Sequence, residues 1–486
     1  MRKANLILIH GALGSGKELV PLVDELKDAY TVHIYEIPGH GARSNELASF
    51  NLDTIREDFS QFLIGIGPSY IFGFSLGGYL ALSCTQQQNE FILGVVTLGT
   101  KLNWSPEIAE HEVKSLDIAF LQTKVTGFYQ YLYGLHDKHL PELLLATADF
   151  MKELGDDPAL SPQSVSVIDV PVRIVRGGKD KMVSVAESQA IAAQILNGRY
   201  FEIPHFIHPL GFLKAKSVAN MIRVQLLSCD YGFLQLDNKE IAYYQNDKQT
   251  TYRLLFLHEA LGSIAQWKDF PNQLGNALGL PTTLVDMKGY GFSSAHTDAR
   301  NADYLHRFAW DDLPKIIEGL APEEKLILVG HSDGGSIALL YAAKHPEKIA
   351  GVVTLAAHIR NEKETREGIP PAVEAFESGK LKGLEVYHGG KTEKLFYDWS
   401  HTWLADFFHD WNIEKDINGI AVPGLIMQGN EDQYGTAAQV KEISNCFSAP
   451  VTQLLIPDCG HTPHHEQRET VISAIQAWYN NEFPNE

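Results

Sequence analysis

Cysteine is scarce in this chain. Four cysteines occur among 486 residues, at positions 84, 229, 446 and 459, and no two of them form a Cys-x-x-Cys pair. Disulfide frameworks and zinc knuckles both need several cysteines at short, recurring spacings. The sequence therefore predicts neither kind of cross-link.

Positive charge is also in short supply, with 40 Lys and Arg residues against 60 Asp and Glu, a formal net charge of −20 at pH 7. A surface of this sign repels nucleic acid and anionic membranes, so neither is expected as a partner. Apolar runs are short, and none reaches the roughly 18 residues that a membrane span requires. The first run ends in His10-Gly11 and is interpreted as a buried strand, not as a signal peptide. We expect a soluble, cytoplasmic protein without a membrane span.

What the chain does contain is a repeated alternation of apolar, β-branched segments with amphipathic ones. At 486 residues it is too long for a single core. Alternation of this kind is typical of a mainly parallel sheet with helices on both faces. The predicted strands are 5–10, 31–37, 70–75, 91–99, 172–177 and 199–204 in the first half, and 253–258, 282–287, 325–332, 349–357, 423–429 and 453–458 in the second. The sequence therefore predicts an α/β protein with two twisted, mainly parallel sheets in tandem.

The two halves are predicted to be separate domains, 1–228 and 229–486. An antiparallel hairpin over 232–247 is expected to lead into the second sheet, and the first half has no counterpart, so the amino-terminal domain is the smaller one. Each half also carries a long, helix-rich insertion with clustered aromatic side chains, about 101–169 and about 358–421. Insertions of this length are often lids or binding elements, although the aromatics could equally pack a small helical core.

Both halves contain the same pentapeptide, Gly-x-Ser-x-Gly, between a strand-like and a helix-like run. Ser75 is central in the first copy and Ser332 in the second. Such an elbow holds the serine hydroxyl out above the edge of a sheet, and the glycines avoid a Cβ clash in the tight turn. The repeat predicts one nucleophilic serine in each half.

A serine nucleophile needs a histidine base that an acid holds in one tautomer. An aspartate follows the strand after each insertion, Asp180 in the first half and Asp432 in the second. A histidine follows each last strand, His208 and His461, and His205 is a rival for this role in the first half. The spacings agree: serine to aspartate is 105 and 100 residues, and aspartate to histidine is 28 and 29. Two Ser-Asp-His sets are therefore predicted, with His208 preferred because it aligns with His461.

Acyl transfer also requires backbone N–H groups positioned to donate hydrogen bonds to the oxyanion that develops. One donor should be the residue after each serine, which opens a helix. The second should lie in the loop after the first strand, where residues 10–15 (His-Gly-Ala-Leu-Gly-Ser) and 258–263 (His-Glu-Ala-Leu-Gly-Ser) match at five of six positions. The candidate donors are Ala12 and Leu76 in the first half and Ala260 and Asp333 in the second, with Leu13 and Leu261 as alternatives.

With these motifs in place, both halves resemble the α/β-hydrolase fold family over nearly the whole chain. The order Ser-Asp-His is the order of that family, and the second half adds a DMKGYGFSS loop at 286–294 and a CGH base motif. The resemblance implies a nucleophile, an acid and a base in each half, namely Ser75, Asp180, His208, Ser332, Asp432 and His461. Two departures are clear. The first base lies in FIHPL, not after glycine, and Glu259 replaces the usual glycine beside the oxyanion loop, where an inward carboxylate would disfavour negative charge.

Three side chains are candidates for lining the substrate pockets: Tyr79, His358 and Trp403. Tyr79 follows the first elbow, where members of the menaquinone-pathway synthase family usually carry arginine. His358 lies just after a strand, where family members often line the pocket, and it could contact substrate or satisfy a loop carbonyl. Trp403 belongs to the aromatic cluster of the second insertion, which favours an acyl or aryl group of modest size.

Two other patterns are interpreted as unrelated to function. Residues 11–18 nearly match a phosphate-binding P-loop, but Glu18 replaces the hydroxyl that would hold Mg²⁺ and would repel phosphate. His464 and His465 lack the spacing of a zinc motif and are expected to be exposed in a loop. No nucleotide, metal or organic cofactor is therefore predicted.

Together the motifs predict a carboxylic-ester hydrolase that forms an acyl-enzyme on serine and acts on a small-molecule ester or thioester. Serine at the elbow argues against the haloalkane dehalogenases and epoxide hydrolases of this fold, which use aspartate there. The same triad would serve a thioesterase or lactonase, and the first half also resembles the menaquinone-pathway synthase, a lyase, in its HGALGSG start and its PGHG loop at 38–41. A further alternative is one catalytic half, with the truncated first half as a non-catalytic scaffold that buries a face of its neighbour in an intramolecular pseudo-dimer.

Overall fold

The chain divides into two compact units, Met1–Cys229 and Asp230–Glu486, called here the amino unit and the carboxyl unit. The computed structural model describes residues 3–87, 90–246, 250–296, 298–321 and 323–484. Residue 247, the end of the predicted hairpin, therefore lies outside the described residues.

The amino unit is built on a six-stranded parallel sheet. Its strands are β1 (Asn5–Ile9), β2 (Thr31–Tyr35), β3 (Ser69–Phe74), β4 (Ile92–Leu98), β5 (Val172–Gly177) and β6 (Gly198–Ile203). They lie in the order β2-β1-β3-β4-β5-β6, and every neighbouring pair is parallel. The central strands are covered on both faces, so their sequences are continuous apolar runs.

Helices flank this sheet and form the insertion of the amino unit. They are α1 (Gly16–Leu26), α2 (Leu52–Ile66), α3 (Leu76–Gln86), α4 (Pro106–Val113), α5 (Ile118–Lys124), α6 (Thr126–His136), α7 (Leu140–Asp156), α8 (Val185–Gln194) and α9 (Ala215–Leu227). Helices α4 to α7 lie between β4 and β5, where the long insertion is expected.

The carboxyl unit has an eight-stranded, mainly parallel sheet. Its strands are β7 (Gly232–Leu236), β8 (Lys239–Gln245), β9 (Tyr252–Leu257), β10 (Thr282–Val285), β11 (Lys325–His331), β12 (Ile349–Leu355), β13 (Gly424–Gly429) and β14 (Val451–Ile456). Their order is β14-β13-β12-β11-β9-β10-β8-β7. Strands β7 and β8 form an antiparallel hairpin, and β8 runs antiparallel to β10. The predicted fold class, an α/β architecture with two mainly parallel sheets, is confirmed.

The helices of the carboxyl unit are α10 (Phe270–Leu278), α11 (Tyr304–Arg307), α12 (Leu313–Leu320), α13 (Asp333–Lys344), α14 (Lys363–Glu377), α15 (Glu385–His388), α16 (Thr392–Leu404), α17 (Ala437–Asn445), α18 (Pro463–Glu466) and α19 (Arg468–Glu482). Helices α14 to α16 lie between β12 and β13 and form the second insertion. Within the described residues of both units, no helix combines the length and the apolar character that crossing a membrane requires.

The sheet of the carboxyl unit separates two apolar cores. Leu254 and Phe256 belong to one core, and Leu255 and Leu257 to the other, as the two-residue period of a strand requires. The second core also includes Trp403 of the insertion. The insertion is therefore packed onto the same layer that carries the elbow helix α13.

Each elbow is a tight turn between a strand and a helix. Ser75 joins β3 to α3 with φ 50°, and Ser332 joins β11 to α13 with φ 52°, a region that non-glycine residues rarely adopt. The second glycine of each motif lies against the end of the first parallel strand of its sheet, β1 in the amino unit and β9 in the carboxyl unit. A Cβ on Gly334 would lie 2.1 Å from the carbonyl oxygen of Leu257. Only glycine permits this approach, which fixes where the serine sits.

Replacing Gly334 with alanine should push α13 away from the end of β9, because the new Cβ would overlap the Leu257 carbonyl oxygen. Overpacking of this kind typically costs about 1–3 kcal/mol of unfolding free energy. Urea denaturation followed by tryptophan fluorescence measures the loss. Six of the seven tryptophans belong to the carboxyl unit, so the signal reports mainly that unit.

Gly383→Ala is the matched control, because no atom lies within 4 Å of a Cβ built at Gly383. We expect this variant to unfold at the urea concentration of the unchanged protein. Equal losses in the two variants would contradict the argument from close approach.

Candidate active sites

In the carboxyl unit, Ser332, His461 and Asp432 form one hydrogen-bonded chain. They follow β11, β14 and β13, so all three come from the carboxyl ends of parallel strands. Nε2 of His461 lies 3.0 Å from Oγ of Ser332, and Nδ1 lies 2.9 Å from each carboxylate oxygen of Asp432. Since an ionised carboxylate only accepts hydrogen bonds, Nδ1 carries the ring proton and Nε2 can accept the proton of Ser332. The arrangement suits a base that activates the hydroxyl.

Asp432 is ionised at neutral pH. Its side chain is 1% exposed, and burial alone would raise its pKa. The attraction to His461, their hydrogen bond and the N–H of Tyr434 at 2.8 Å outweigh burial and hold the pKa of Asp432 below its ordinary value of 3.8. The carboxylate can therefore stabilise an imidazolium at His461.

The amino unit has the corresponding acid and base. Nδ1 of His208 lies 2.8 Å from Oδ2 of Asp180, and the other carboxylate oxygen accepts two backbone N–H groups at 2.8 and 3.1 Å. Burial raises the pKa of Asp180, but these bonds and the attraction to His208 bring it below its ordinary value of 3.8. His205, the rival base, packs edge-on against the ring of Phe206.

The two bases lie in equivalent places beside their elbows. The ring before each serine packs against the base: Phe74 and His208 have centroids 5.2 Å apart at 49°, and His331 and His461 have centroids 5.2 Å apart at 48°. Within the described part of the chain, however, no hydrogen bond joins Oγ of Ser75 to His208. The amino unit thus brings its base to the elbow without completing the chain that the carboxyl unit shows.

Each serine opens onto a cavity, of about 200 Å³ in the carboxyl unit and about 30 Å³ in the amino unit. Ala260 and Asp333 line the larger cavity, and Ala12 and Leu76 line the smaller one. Among the residues that the structure describes, none of these four N–H groups has a hydrogen-bond acceptor. All four are therefore available to an oxyanion.

A buried histidine fixes the peptide that carries each loop donor. Nδ1 of His258 lies 2.7 Å from the carbonyl oxygen of Glu259, and its Nε2 accepts the N–H of Met287 at 3.0 Å, so Nδ1 is the donor. The Glu259 carbonyl and the Ala260 N–H belong to one planar trans peptide and point in opposite directions. The bond therefore turns the Ala260 N–H away from the histidine. His10 makes the same pair of bonds in the amino unit, at 2.8 and 3.1 Å.

Glu259 does not leave an unpaired carboxylate beside the oxyanion loop. Its Oε2 lies 3.2 Å from Nδ1 of His331, and Nε2 of His331 lies 2.7 Å from the carbonyl oxygen of His461. Both partners only accept, so both ring nitrogens carry protons and His331 is an imidazolium. Burial opposes both charges, but the bond between them keeps the pKa of His331 above 6.5 and the pKa of Glu259 below 4.5. The expected repulsion of an oxyanion is therefore offset within the pair.

The amino unit has Gly11 and Phe74 where the carboxyl unit has Glu259 and His331. A Cβ on Gly11 would lie 2.9 Å from the Phe74 ring, so this position has no room for a side chain. The sequence pointed to Glu259 but not to its partner, His331. The signal that could have found it is that both positions differ between the halves, with Gly11 and Phe74 in the amino unit.

The three predicted pocket residues line these cavities: Tyr79 in the amino unit, His358 and Trp403 in the carboxyl unit. The Tyr79 hydroxyl accepts a backbone N–H at 3.2 Å, so its oxygen is engaged. The His358 ring lies 5.1 Å from that of Trp403 and 5.8 Å from that of His461, and burial lowers the pKa of His358 to about 3. Nε1 of Trp403 donates to the hydroxyl of Tyr304 at 3.0 Å, which fixes the indole.

The P-loop-like segment and the His464-His465 pair are not part of either site, and both stabilise the packing of their units. Glu18 caps α1, since its Oε2 accepts the N–H of Ser15 at 3.0 Å in a capping box. The expectation that His464 and His465 are exposed in a loop is wrong, because both lie in α18. His464 is 2% exposed, with its ring 4.7 Å from the rings of both Trp267 and His331. His465 is half-buried, and its Nε2 lies 2.9 Å from the carbonyl oxygen of Gln266. In the described residues, no group of three or more His, Cys, Asp and Glu side chains is arranged to hold a metal ion.

Comparison with known proteins groups the chain with hydrolases. A family model described as alpha/beta hydrolase fold matches residues 4–163 and 252–380, more than half of the chain. Epoxide hydrolase 3 of Xenopus tropicalis is 22% identical over 294 residues, covering 52% of this chain and 78% of that protein. Pimeloyl-[acyl-carrier protein] methyl ester esterase of Shewanella woodyi is 25% identical over 226 residues, 40% and 82% of the two chains. Serine hydrolase BPHL of Homo sapiens is 31% identical over 204 residues, 39% and 66% of the two chains.

Glu259→Gln should destabilise the carboxyl unit in a pH-dependent way. Glutamine still accepts from His331 but carries no charge, and a charged hydrogen bond is stronger than a neutral one by about 1 kcal/mol. Because the pKa of His331 is raised in the folded protein, the stabilisation that it contributes is complete below pH 6.5 and is lost as the pH rises through the folded-state pKa. Because the pKa of Glu259 is lowered, its stabilisation is complete above pH 4.5 and is lost as the pH falls through the folded-state pKa. The loss of unfolding free energy should therefore be largest between pH 4.5 and 6.5 and shrink at alkaline pH.

Urea unfolding across this pH range, followed by tryptophan fluorescence, measures the difference. The neighbouring titratable groups His258 and His464 are present in both proteins, so their own contributions largely cancel. Glu367→Gln, at an exposed ion pair with Lys363, is the control and should show no such profile. A loss independent of pH in the Glu259 variant would refute the ion pair.

Proposed function

The chain belongs to the α/β-hydrolase fold family, and from that premise we propose that it is a carboxylic-ester hydrolase whose carboxyl unit carries the working site. The observation that supports this most directly is the chain of hydrogen bonds from Ser332 through His461 to Asp432. An available pair of N–H groups and a cavity beside the serine complete the requirements of acyl transfer.

In the proposed reaction, Oγ of Ser332 attacks the ester carbonyl carbon while its proton passes to Nε2 of His461. The carbonyl oxygen becomes an oxyanion that accepts hydrogen bonds from the N–H groups of Ala260 and Asp333. Collapse of this intermediate breaks the bond to the alcohol oxygen, which leaves with the proton from His461, and the acyl group remains on Ser332. Asp432 stabilises the imidazolium in this step.

Water completes the cycle. His461 takes a proton from a water molecule, whose oxygen attacks the acyl carbon and forms a second oxyanion at the same N–H groups. Collapse releases the carboxylic acid, and the serine oxygen regains its proton from His461. The chemistry needs neither a metal nor an organic cofactor, because each proton is held by His461 and each negative charge by the backbone.

We infer a smaller catalytic contribution from the amino unit. Asp180 and His208 are paired, but Ser75 makes no hydrogen bond to His208 in the described residues. Its cavity of about 30 Å³ is less than one-sixth the size of the other, of about 200 Å³, and has room for little more than water. These observations favour the alternative in which one half is a scaffold. The intramolecular pseudo-dimer stays a prediction.

The proposed substrate is an ester with an acyl or aryl group of modest size. Beyond the triad and the oxyanion donors, the cavity beside Ser332 is walled by Leu261, Trp399, Trp403 and Tyr434, together with the polar side chains of Glu259, His358 and Thr365. Apolar walls with a small number of polar contacts are typical of small-molecule sites. Thioesters and lactones would react by the same steps, and one relative is named as a methyl ester esterase.

Two alternative reactions have less support. An epoxide hydrolase is among the relatives, but enzymes of that kind in this fold use aspartate at the elbow, whereas both elbows here carry serine. A lyase of the menaquinone-pathway type would usually have arginine where Tyr79 stands. The hydroxyl of Tyr79 is already engaged by a backbone N–H and offers no cation.

A fluorophosphonate probe should form an adduct at Ser332, identified by peptide mass spectrometry. Ser332→Ala should lower the hydrolysis of p-nitrophenyl esters by several orders of magnitude, since the nucleophile is lost. Ser75→Ala should keep most of the turnover. Ser378→Ala, an exposed serine at the end of α14, is the control for the substitution itself. Absence of an adduct at both elbows would overturn the proposal, and an adduct at Ser75 alone would move the site to the amino unit.

Trp399→Ala should widen the range of acyl chains that the Ser75→Ala protein accepts. Trp399 is half-buried and lines the cavity, so its removal makes room for longer chains. Each methylene that finds room is worth about 1–3 kcal/mol in kcat/KM. A series of p-nitrophenyl esters of increasing length measures the shift. Phe407→Ala, an insertion aromatic that is 56% exposed, should leave the profile unchanged; a shift in both variants would argue against the assigned wall.

A further inference from the structure

The insertion of each unit reaches its oxyanion loop through one buried histidine. In the amino unit, Nε2 of His136 at the end of α6 lies 2.8 Å from the carbonyl oxygen of Leu13. In the carboxyl unit, Nε2 of His388 at the end of α15 lies 2.9 Å from the carbonyl oxygen of Leu261. Leu13 and Leu261 are matching residues of the two loops. The insertions differ in the number and length of their helices, so the shared contact does not follow from a shared insertion fold.

A column of three rings accompanies this contact in both units. The middle ring comes from the loop after the second parallel strand of each sheet and lies between the loop histidine and the insertion histidine. The centroid distances are 5.1 Å for His10–His40 and 5.9 Å for His40–His136, and 4.8 Å for His258–Tyr290 and 6.1 Å for Tyr290–His388. In both units, therefore, the insertion histidine packs against the oxyanion loop through an equivalent middle ring.

The direction of the hydrogen bond is fixed in the carboxyl unit. Nδ1 of His388 accepts the N–H of Gly291 at 3.0 Å, so Nε2 carries the ring proton and donates to Leu261. Burial lowers the pKa of His388 to about 3, which keeps the ring neutral. Three residues further on, Nζ of Lys391 donates to three carbonyls of the 286–294 loop. This part of the insertion is thus anchored both to the oxyanion loop and to the 286–294 loop.

We propose that His388, and His136 in the amino unit, are positioning residues that couple the insertion to the oxyanion hole. His258 holds the carbonyl on one side of Ala260, and His388 holds the carbonyl of the next residue, Leu261. The Glu259 carbonyl also accepts the N–H of Gly262 at 2.9 Å, so residues 259–262 form one turn that carries the Ala260 N–H, and the bond from His388 holds this turn at Leu261. Without the insertion in place, this restraint is lost and the turn can shift the Ala260 N–H away from the oxyanion. This inference rests on the proposed hydrolysis and adds that the site is complete only when the insertion is docked.

The test compares His388→Gln with His388→Leu in the Ser75→Ala background. Glutamine places an N–H near the position of Nε2 and should rescue the bond to Leu261, whereas leucine fills space without donating. We expect kcat to fall about ten- to a hundredfold in the leucine variant, somewhat less than the roughly 10²–10³-fold for removal of an oxyanion donor. KM should change little, and kcat of the glutamine variant should stay within a few fold of the parent.

Two readouts separate positioning from simple destabilisation. Affinity for a trifluoromethyl ketone, whose adduct carries an oxyanion, should fall in parallel with kcat, while affinity for a product carboxylate should not. His409→Leu, an insertion histidine with 58% of its side chain exposed, is the control. Equal kcat in the leucine and glutamine variants, or equal loss of affinity for both ligands, would overturn the proposal.

Amide hydrogen exchange tests the contact without relying on activity. Exchange at residues 259–262 should be faster in the leucine variant than in the glutamine variant, and equal exchange would overturn the inference. If the leucine variant does not fold, His388→Asn replaces it, because its amide is too short to reach Leu261. Failure of the parent protein to react with the fluorophosphonate probe would instead count against the proposed hydrolysis, so the two failures are distinguishable.

Discussion

Both sites depend on one contact between backbones, the approach of the elbow helix to the end of the first parallel strand. In the carboxyl unit the space between Gly334 and the Leu257 carbonyl cannot hold a methyl group. This contact fixes the serine in its strained conformation and brings the first N–H of α13 beside the loop that begins at His258. The nucleophile and both oxyanion donors are thus placed by main-chain packing, and the acid and base reach them from other strand ends.

The two units share this main-chain arrangement but differ in the charged side chains beside it. The serine dihedrals agree within a few degrees, and the loop histidines make matching bonds. In contrast, the carboxyl unit has the Glu259–His331 ion pair, with a buried imidazole and a carboxylate that is 25% exposed, where the amino unit packs Phe74 over Gly11. Because a pair of opposite charges is neutral as a whole, it can replace an apolar contact without opposing the oxyanion, provided that both members are present.

Much of the fold and part of the site can be predicted from the sequence. Strands covered on both faces are apolar runs, elbows have a glycine signature, and residues just after parallel strands meet at one edge, which is why Asp432 and His461 were accessible to sequence reasoning. Contacts made by the insertions have no such periodic signal. The bond from His388 to Leu261, the inward turn of His464 and the partner of Glu259 depend on tertiary packing between distant segments.

The amino unit contains the residues of a triad but not the surroundings that the carboxyl unit gives to its own. It retains the acid–base pair, the loop histidine and the insertion histidine, each with nearly the distances of the other unit. Two features differ. Among the described residues Ser75 makes no hydrogen bond to His208, and Phe150, Met151 and Leu154 of α7 line a cavity of about 30 Å³ above the serine. In the carboxyl unit the insertion leaves about 200 Å³. Since a substrate must enter before any hydroxyl can attack it, the proposed activity of each unit depends on the packing of its insertion as well as on its triad residues.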